Sequence, residues 1–415
     1  MKIAIIGAGM AGNFIAYRLW RDHEITVYES ASHIGGHSHT HDIDIDNEHQ
    51  RIDTGFIVFN DRTYPNFIAL LDKIGVESQP TRMSFSVRNQ ASGLEYNGTT
   101  INTLFAQRRN LLRPSFYLFI AEILRFNREA PKLLNGGSEI ALGDYLEQES
   151  YSHAFIDNYL VPMGAAIWST DPARIVQFPA HFFVRFFHHH GMLSVNNRPQ
   201  WRAIRGGSSR YVEKLVAPFR DRIRLNTPVE TVVRSPDSVM IKTCHSEPEH
   251  YDFVFFACHS DQALRLLGQA SPLEHSVLGA IAYQRNEVVL HTDIALLPHS
   301  RRAWAAWNYH VSPEINAPVA LTYNMNILQN LSSRYTFCVT LNRSDAIAPD
   351  KIIKRLSYDH PLYTPGAVSA QQRHQEINGA NRSFFCGAYW RNGFHEDAIV
   401  SAIEALKHFN YALHA

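Results

Sequence analysis

The pattern of apolar and polar positions over the first thirty residues predicts three elements. Lys2-Ile3-Ala4-Ile5-Ile6 is a short, nearly continuous apolar run, the signature of a strand buried on both faces. Gly7-Ala8-Gly9-Met10-Ala11-Gly12 follows without a break, and a helical pattern then runs from Asn13 to Trp20. A second apolar run, Ile25-Thr26-Val27-Tyr28, ends on Glu29. The order is strand, tight turn, helix, strand.

Further along, the same reading predicts an amphipathic helix from Ile68 to Ile74 and a buried parallel strand over Tyr251 to Cys258. Asn286 to Asp293 reads as a strand of a second unit. Ser383 to Trp390 and Gly393 to Ala398 lead into a helix from Ile399 to Leu406. Two stretches suit more than one role. Phe182-Phe183-Val184-Arg185-Phe186-Phe187 has the spacing of a core helix, and the same aromatic area suits a tunnel for a long apolar substrate. Residues 104–134 interleave Arg108, Arg109, Arg113, Arg125 and Arg128 with Leu111, Leu112, Phe116, Tyr117, Phe119 and Leu124, and Pro114 opens a new helix there. A helix with its apolar face in the core and a helix lying in an anionic bilayer interface share that pattern.

The opening stretch carries chemistry. Gly7 allows the sharp turn, Gly9 lets the backbone approach a pyrophosphate, and Gly12 lets the helix pack on the strand. The helix N-terminus offers free N–H groups and a partial positive charge. Glu29 stands at about the twenty-residue offset of the acid that holds a ribose 2′-hydroxyl, and an acid there disfavours the 2′-phosphate of NADP. Gly35-Gly36-His37 then supplies a glycine pair beyond what NAD binding requires.

That pair resembles the second nucleotide motif of the flavin amine oxidase and phytoene desaturase superfamily, in which the glycines and the next residue lie against the FAD pyrophosphate. The family more often has Arg at the position of His37. The segments Ile52 to Asn60, with Gly55, then Thr63 to Phe67, Met83 to Val87 and Leu94 to Tyr96 narrow the likeness. They resemble the bacterial FAD-binding proteins associated with cyclopropane fatty acid synthases and the N-terminal domain of plant cyclopropane synthases. Arg224 to Glu230 is similar to the strand whose backbone contacts adenine, with Val229 as the contact. Near the C-terminus the resemblance places Gly387, Tyr389, Phe394, His395, Glu396 and Asp397 at the flavin, where a helix N-terminus would stabilise negative charge on the ring. His291 corresponds to the flavin-facing lysine of amine oxidases, and His291 and His395 are the candidates for proton handling.

Two nucleotide signatures at opposite ends of the chain require a discontinuous domain. The expected fold is α/β and amine-oxidase-like, with a Rossmann-like FAD-binding domain from residues 1–80, 200–280 and 370–415. Residues 81–199 and 281–369 are expected to form a mixed-sheet plus helical substrate domain. The resemblance implies an FAD-dependent oxidoreductase taking hydride from a lipid acyl chain. No second GxGxxG is present, so electrons are expected to enter from the substrate and leave to oxygen or another acceptor. A flavin amine oxidase, and a flavin-binding partner of a lipid methyltransferase without turnover of its own, remain open.

Composition narrows the setting. A chain of 415 residues with 45% hydrophobic and 19% charged residues is globular. Lys+Arg and Asp+Glu are both 39, so nothing at whole-chain level asks for nucleic acid. Cys244, Cys258, Cys338 and Cys386 form no CxxC, which suits reduced thiols in a cytosolic protein. A strand starting at residue 2 leaves no room for a signal peptide, and no apolar run has the length of a membrane span. The expected location is cytoplasmic, with peripheral membrane contact possible through residues 104–134. His37, His39 and His41 alternate, but no Cys or clustered carboxylate completes a ligand set, so no metal is expected.

Overall fold

The computed structural model describes residues 1–414 apart from 136–139, 195, 197, 245, 315 and 316, with side chains to residue 410. A five-stranded parallel sheet lies at its centre, in the order β3-β2-β1-β4-β5, built from β1 (Lys2–Ile6), β2 (Glu24–Tyr28), β3 (Ile223–Arg224), β4 (Phe253–Phe256) and β5 (Ser383–Phe385). Strand alternation divides the core in two. Ile3, Ile5 and Phe255 pack with Phe14 and Ile15 of helix α1 (Met10–Leu19), while Ala4, Ile6, Val254 and Phe256 pack with Val232, Val277 and Leu278 on the opposite face. Both faces are therefore covered, which is why these strands read as continuous apolar runs.

Four more helices matter below: α2 (Pro65–Ile74), α3 (Pro114–Glu129), α4 (Ala180–His189) and α5 (Ser209–Val216). A final helix, α6 (His395–His414), packs along α1 through Ile399, Ala402 and Phe409. α2 begins at Pro65, at the position where proline is pre-organised, and α6 begins at His395, ahead of the predicted Ile399. The earlier start of α6 has a local cause: Asp397 accepts from the backbone N–H groups of Asn392 (3.2 Å) and Phe394 (3.0 Å) and folds the preceding loop onto the first turn.

The second large sheet is mixed and seven-stranded, with strands from Phe85–Asn89, Leu94–Asn97 and five segments between Tyr283 and Pro361. Its one parallel pair joins Trp307–Val311 to Phe85–Asn89. The helical layer against it holds a core of Phe126, Phe155, Trp168, Phe182, Phe183 and Phe187. Between the two large sheets, a small antiparallel sheet of Val58–Asn60, Trp201–Ile204 and Ser78–Pro80 carries the chain across. Asp53 fastens this junction. It is 1% exposed and accepts from Thr40 Oγ1 (2.6 Å), the Ser208 backbone N–H (2.9 Å), Ser208 Oγ (2.8 Å) and Gln329 Nε2 (3.0 Å). Burial nevertheless pushes its carboxyl up to about 6.

Candidate active site

A cavity of about 770 Å³ lies between the parallel sheet and the mixed sheet. The turn after β1 forms part of its wall through Gly7, Gly9, Met10 and Ala11. Gly7 has φ +107, a conformation that suits glycine, and no side chain caps the start of α1. A Cβ at Gly9 would meet no protein atom within 4 Å, so the backbone there stands open to the cavity. Gly36, at φ +58, lies against it, since its own Cβ would come 3.2 Å from Gly9 Cα. Glu29, at the end of β2, lines the same space and accepts from the backbone N–H groups of Ala8 and Ala31, both at 2.8 Å. Val229, beside it, opens the strand Val229–Arg234.

His37 turns the wall toward a second group of residues. Its ring lies 4.9 Å from Tyr358 and 5.6 Å from His360, and Phe56 N–H donates to its carbonyl at 2.7 Å. Gly55 is required for that approach, because a Cβ there would stand 2.2 Å from His37 O. Burial, with His259 and His33 nearby, pulls the His37 imidazole down to about 4, so it is neutral at pH 7. It therefore offers a hydrogen bond to an anion and no full charge.

The far wall comes from the start of α6 and the turn before it. Gly387 gives room to the Tyr389 ring, which a Cβ would meet at 2.4 Å. Phe394 stacks on Phe186 at 5.2 Å, so one phenylalanine of α4 reaches the cavity while Phe182, Phe183 and Phe187 stay in the core. His395 lines the cavity under Phe56, whose ring stacks at 3.5 Å. Its Nε2 lies 2.9 Å from both Ser38 Oγ and Tyr211 OH, which also bond to each other. Nε2 therefore closes a triad with the two hydroxyls, accepting from one of them in one tautomer and donating to one in the other. Burial lowers this imidazole to about 3, so it stays neutral.

Several buried polar atoms on this lining lack any partner within the protein: His37 Nε2, Tyr363 OH, Tyr389 OH and the indole nitrogens of Trp168 and Trp307. Native interiors rarely leave such groups unpaired without a ligand or water to meet them. Unpaired donors, an uncapped helix N-terminus and open glycine backbones form a cradle that fits FAD. The family model for flavin containing amine oxidoreductases matches residues 10–289, well over half of the chain. The protein belongs to that family. It is an FAD-dependent oxidoreductase.

Solved structures agree on the fold. Cyclohexylamine oxidase from Brevibacterium oxydans IH-35A superposes with a TM-score of 0.72 at 13% identity, covering 100% of this chain and 99% of that one. A CLA-producing fatty acid isomerase from P. acnes gives 0.71 at 15% identity, covering 98% of each chain. No curated protein sequence matches the chain.

In this flavin oxidoreductase the structure gathers Gly7, Gly9, Glu29, Gly35, Gly36, His37, Gly55, Val229, Gly387, Tyr389, Phe394 and His395 on one cavity. Gly12 stands behind it, packing α1 on the turn. Three expectations need correcting. His291 does not face the flavin cavity: it is fully buried on the opposite face of its strand, with Nε2 2.7 Å from Thr340 Oγ1 and Nδ1 accepting the Asp293 N–H. Strand alternation explains this, because Val288 lines the cavity while Val289 and His291 point the other way. Glu396 and Asp397 are also absent from the flavin cavity and line a separate one of about 810 Å³. Asp397 holds the loop before α6, and Glu396 accepts from Asn66 N–H (3.1 Å), Asn66 Nδ2 (2.6 Å) and Phe67 N–H (3.0 Å) at the start of α2. Glu396→Ala is expected to cost about 3 kcal/mol by stranding these donors, with Glu396→Gln recovering part of it. Urea melts check this, and an unchanged midpoint would mean that water replaces the carboxylate.

His259, Tyr283, Tyr358 and His360 line the cavity without having been singled out in the sequence. Tyr358 and His360 alternate on the strand Ile352–Pro361, a spacing that could have flagged them. His259 stacks on Tyr283 at 4.4 Å, and burial holds it down to about 4.

Proposed function

We propose that the protein removes a hydride from a carbon of a lipid acyl chain. The observation carrying this reading is the character of the cavity wall beyond the nucleotide residues. Ile57, Met83, Ile167, Trp168, Phe186 and Met192 line it, and no lysine lies on the described lining. Apolar walls of this kind fit a hydrocarbon chain and exclude water from the reacting carbon. The flavin-facing lysine that the resemblance to amine oxidases implies has no counterpart among the described lining residues. The P. acnes neighbour with a TM-score of 0.71 is a fatty acid isomerase, in keeping with a lipid chain.

When bound, FAD supplies the hydride acceptor, and the protein binds, orients and shields it. Glu29 would receive the adenosine ribose, and the Gly9 and Gly36 backbones with the start of α1 would receive the pyrophosphate, all of them on the cavity lining. His37 donates or accepts a hydrogen bond at Nε2 as a neutral group. His395 is held in orientation by Ser38 and Tyr211 at Nε2. An imidazole held near 3 is a weak base, so His395 acts by hydrogen bonding and positioning.

The test is anaerobic titration of the flavin-loaded protein with phospholipid carrying unsaturated or cyclopropane chains and, in parallel, with primary amines. Lipid is expected to bleach the flavin band at about 450 nm. Bleaching by amines alone would replace this reading with amine oxidation. A flavin that neither class reduces would favour a non-catalytic partner of a lipid-modifying methyltransferase.

A further inference from the structure

Among the described residues, six of the nine large apolar side chains left exposed fall between residues 101 and 124. They are Ile101 at 79% exposure, Leu112 at 89%, Leu118 at 68%, and Leu111, Tyr117 and Leu124. Scattered exposed leucines are ordinary, but a cluster of this kind marks an interaction site. α3 explains the clustering. Its inner face is Phe116, Phe119 and Phe126, all buried in the aromatic core, yet its outer face, Tyr117, Leu118, Ala121 and Leu124, is also apolar and open. No charged residue occurs from Pro114 to Ala121. A helix that faced water would carry its polar residues on the outer side.

Charge selects what covers this face. Residues 96–121 contain no aspartate or glutamate and carry Arg108, Arg109 and Arg113. All three are exposed, and none forms an ion pair among the described residues. Arg108 donates to carbonyl oxygens of Asn102 and Phe105, and Arg109 to the Gly93 carbonyl, so the guanidinium charges stay uncompensated. A two-fold contact of this face with a second copy would set these arginines against one another. A basic rim around apolar side chains matches the boundary between headgroups and acyl chains. No helix of the described residues is long and apolar enough to cross a membrane, so contact would be made from one side.

We propose that this face docks the protein on an anionic lipid bilayer, with Leu111, Leu112, Tyr117 and Leu118 entering the acyl boundary and the three arginines meeting lipid phosphates. Its purpose rests on the lipid-substrate reading, since acyl chains reside in bilayers, but the docking is tested without turnover. Flavin-loaded protein is sedimented with vesicles of phosphatidylcholine alone or mixed with phosphatidylglycerol, at low and high salt. It is expected to sediment with the anionic vesicles, and less so as salt rises. Neutralising the rim as R108Q/R109Q/R113Q is expected to weaken binding about a hundredfold, at about fivefold per arginine. L112S/L118S is expected to weaken it by more than about tenfold through lost apolar burial. These side chains are exposed, so flavin absorbance and melting should match the parent. Failure to sediment with anionic vesicles, or variants that bind like the parent, would overturn the proposal. So would a dimer in light scattering that L112S/L118S converts to monomer. Vesicle binding without any lipid-driven bleaching would sustain the docking face and sink the substrate reading instead.

Discussion

Gly12→Ala is expected to yield a chain that folds poorly and retains no FAD, while Gly9→Ala folds normally and loses FAD alone. A Cβ on Gly12 would stand 1.9 Å from Gly7 O and 3.1 Å from the Ala257 Cβ. The nearest atom is backbone of the turn itself, so relief requires α1 to move away from β1 and β4. Overpacking in a core costs about 1–3 kcal/mol, and a clash with backbone belongs at or above the upper end. At Gly9 the added methyl meets no protein atom within 4 Å, and φ −77 suits any residue. Folding stability should therefore stay within about 0.5 kcal/mol of the parent. The methyl does enter the space left for the pyrophosphate, and an overlap of 1–3 kcal/mol lowers FAD affinity by about fivefold to a hundredfold. Flavin fluorescence during dialysis reads the affinity, and urea melts of the apoprotein read the fold. Gly9→Ala with parental affinity would place the pyrophosphate elsewhere.

The second large effect is acid instability set by histidines. His41, His190, His291, His310 and His374 are each less than 9% exposed. Burial lowers His310 to about 3 and the other four to about 4. The folded chain keeps them neutral, while the unfolded chain protonates them below about 6.5. Stability that is fully present above that pH is lost as pH falls through it, by about 1.3 kcal/mol per histidine between pH 7 and 5.5. Asp53 and Asp397, which burial raises to about 6, act in the opposite sense. The fold takes up their protons first, returning about 0.8 kcal/mol each over the same interval. The net expectation is a loss of about 5 kcal/mol, a large share of the stability of an ordinary domain. Urea midpoints measured across that range check it, and a flat profile would show that the buried rings find protons or water in the fold.

The residues legible in the sequence are those whose task is local. Gly7, Gly9, Gly12 and the glycine pair at 35 and 36 answer to backbone geometry within a single turn, and Glu29 sits one strand and one helix beyond. The amine-oxidase fold followed from these and from the C-terminal signature. His291 was placed wrongly because a strand reverses its faces at each residue, so a shift of one position moves a side chain from cavity to core. Glu396 and Asp397 carry charge of the kind a cofactor contact uses, yet they are spent on backbone N–H groups and, for Glu396, the Asn66 side-chain amide as well. For Glu396 these lie 329 and 330 positions away, at Phe67 and Asn66. His259 and the pair Tyr358 and His360 come from two distant segments and converge on His37 only through tertiary packing.

The placement of β5 beside β4 has a consequence for biosynthesis. The sheet that carries Gly7 and Glu29 gains its last strand only from residues 383–385, and α6 behind it ends still later. At ribosomal rates of about 5–20 residues per second, the glycine turn emerges about 20–80 s before that strand exists. A nascent chain can form β1, α1 and β2, but cannot close the cavity around a dinucleotide. FAD is therefore captured late, by a nearly finished polypeptide, and the apolar faces of β1 and β4 must be kept from wrong partners until then.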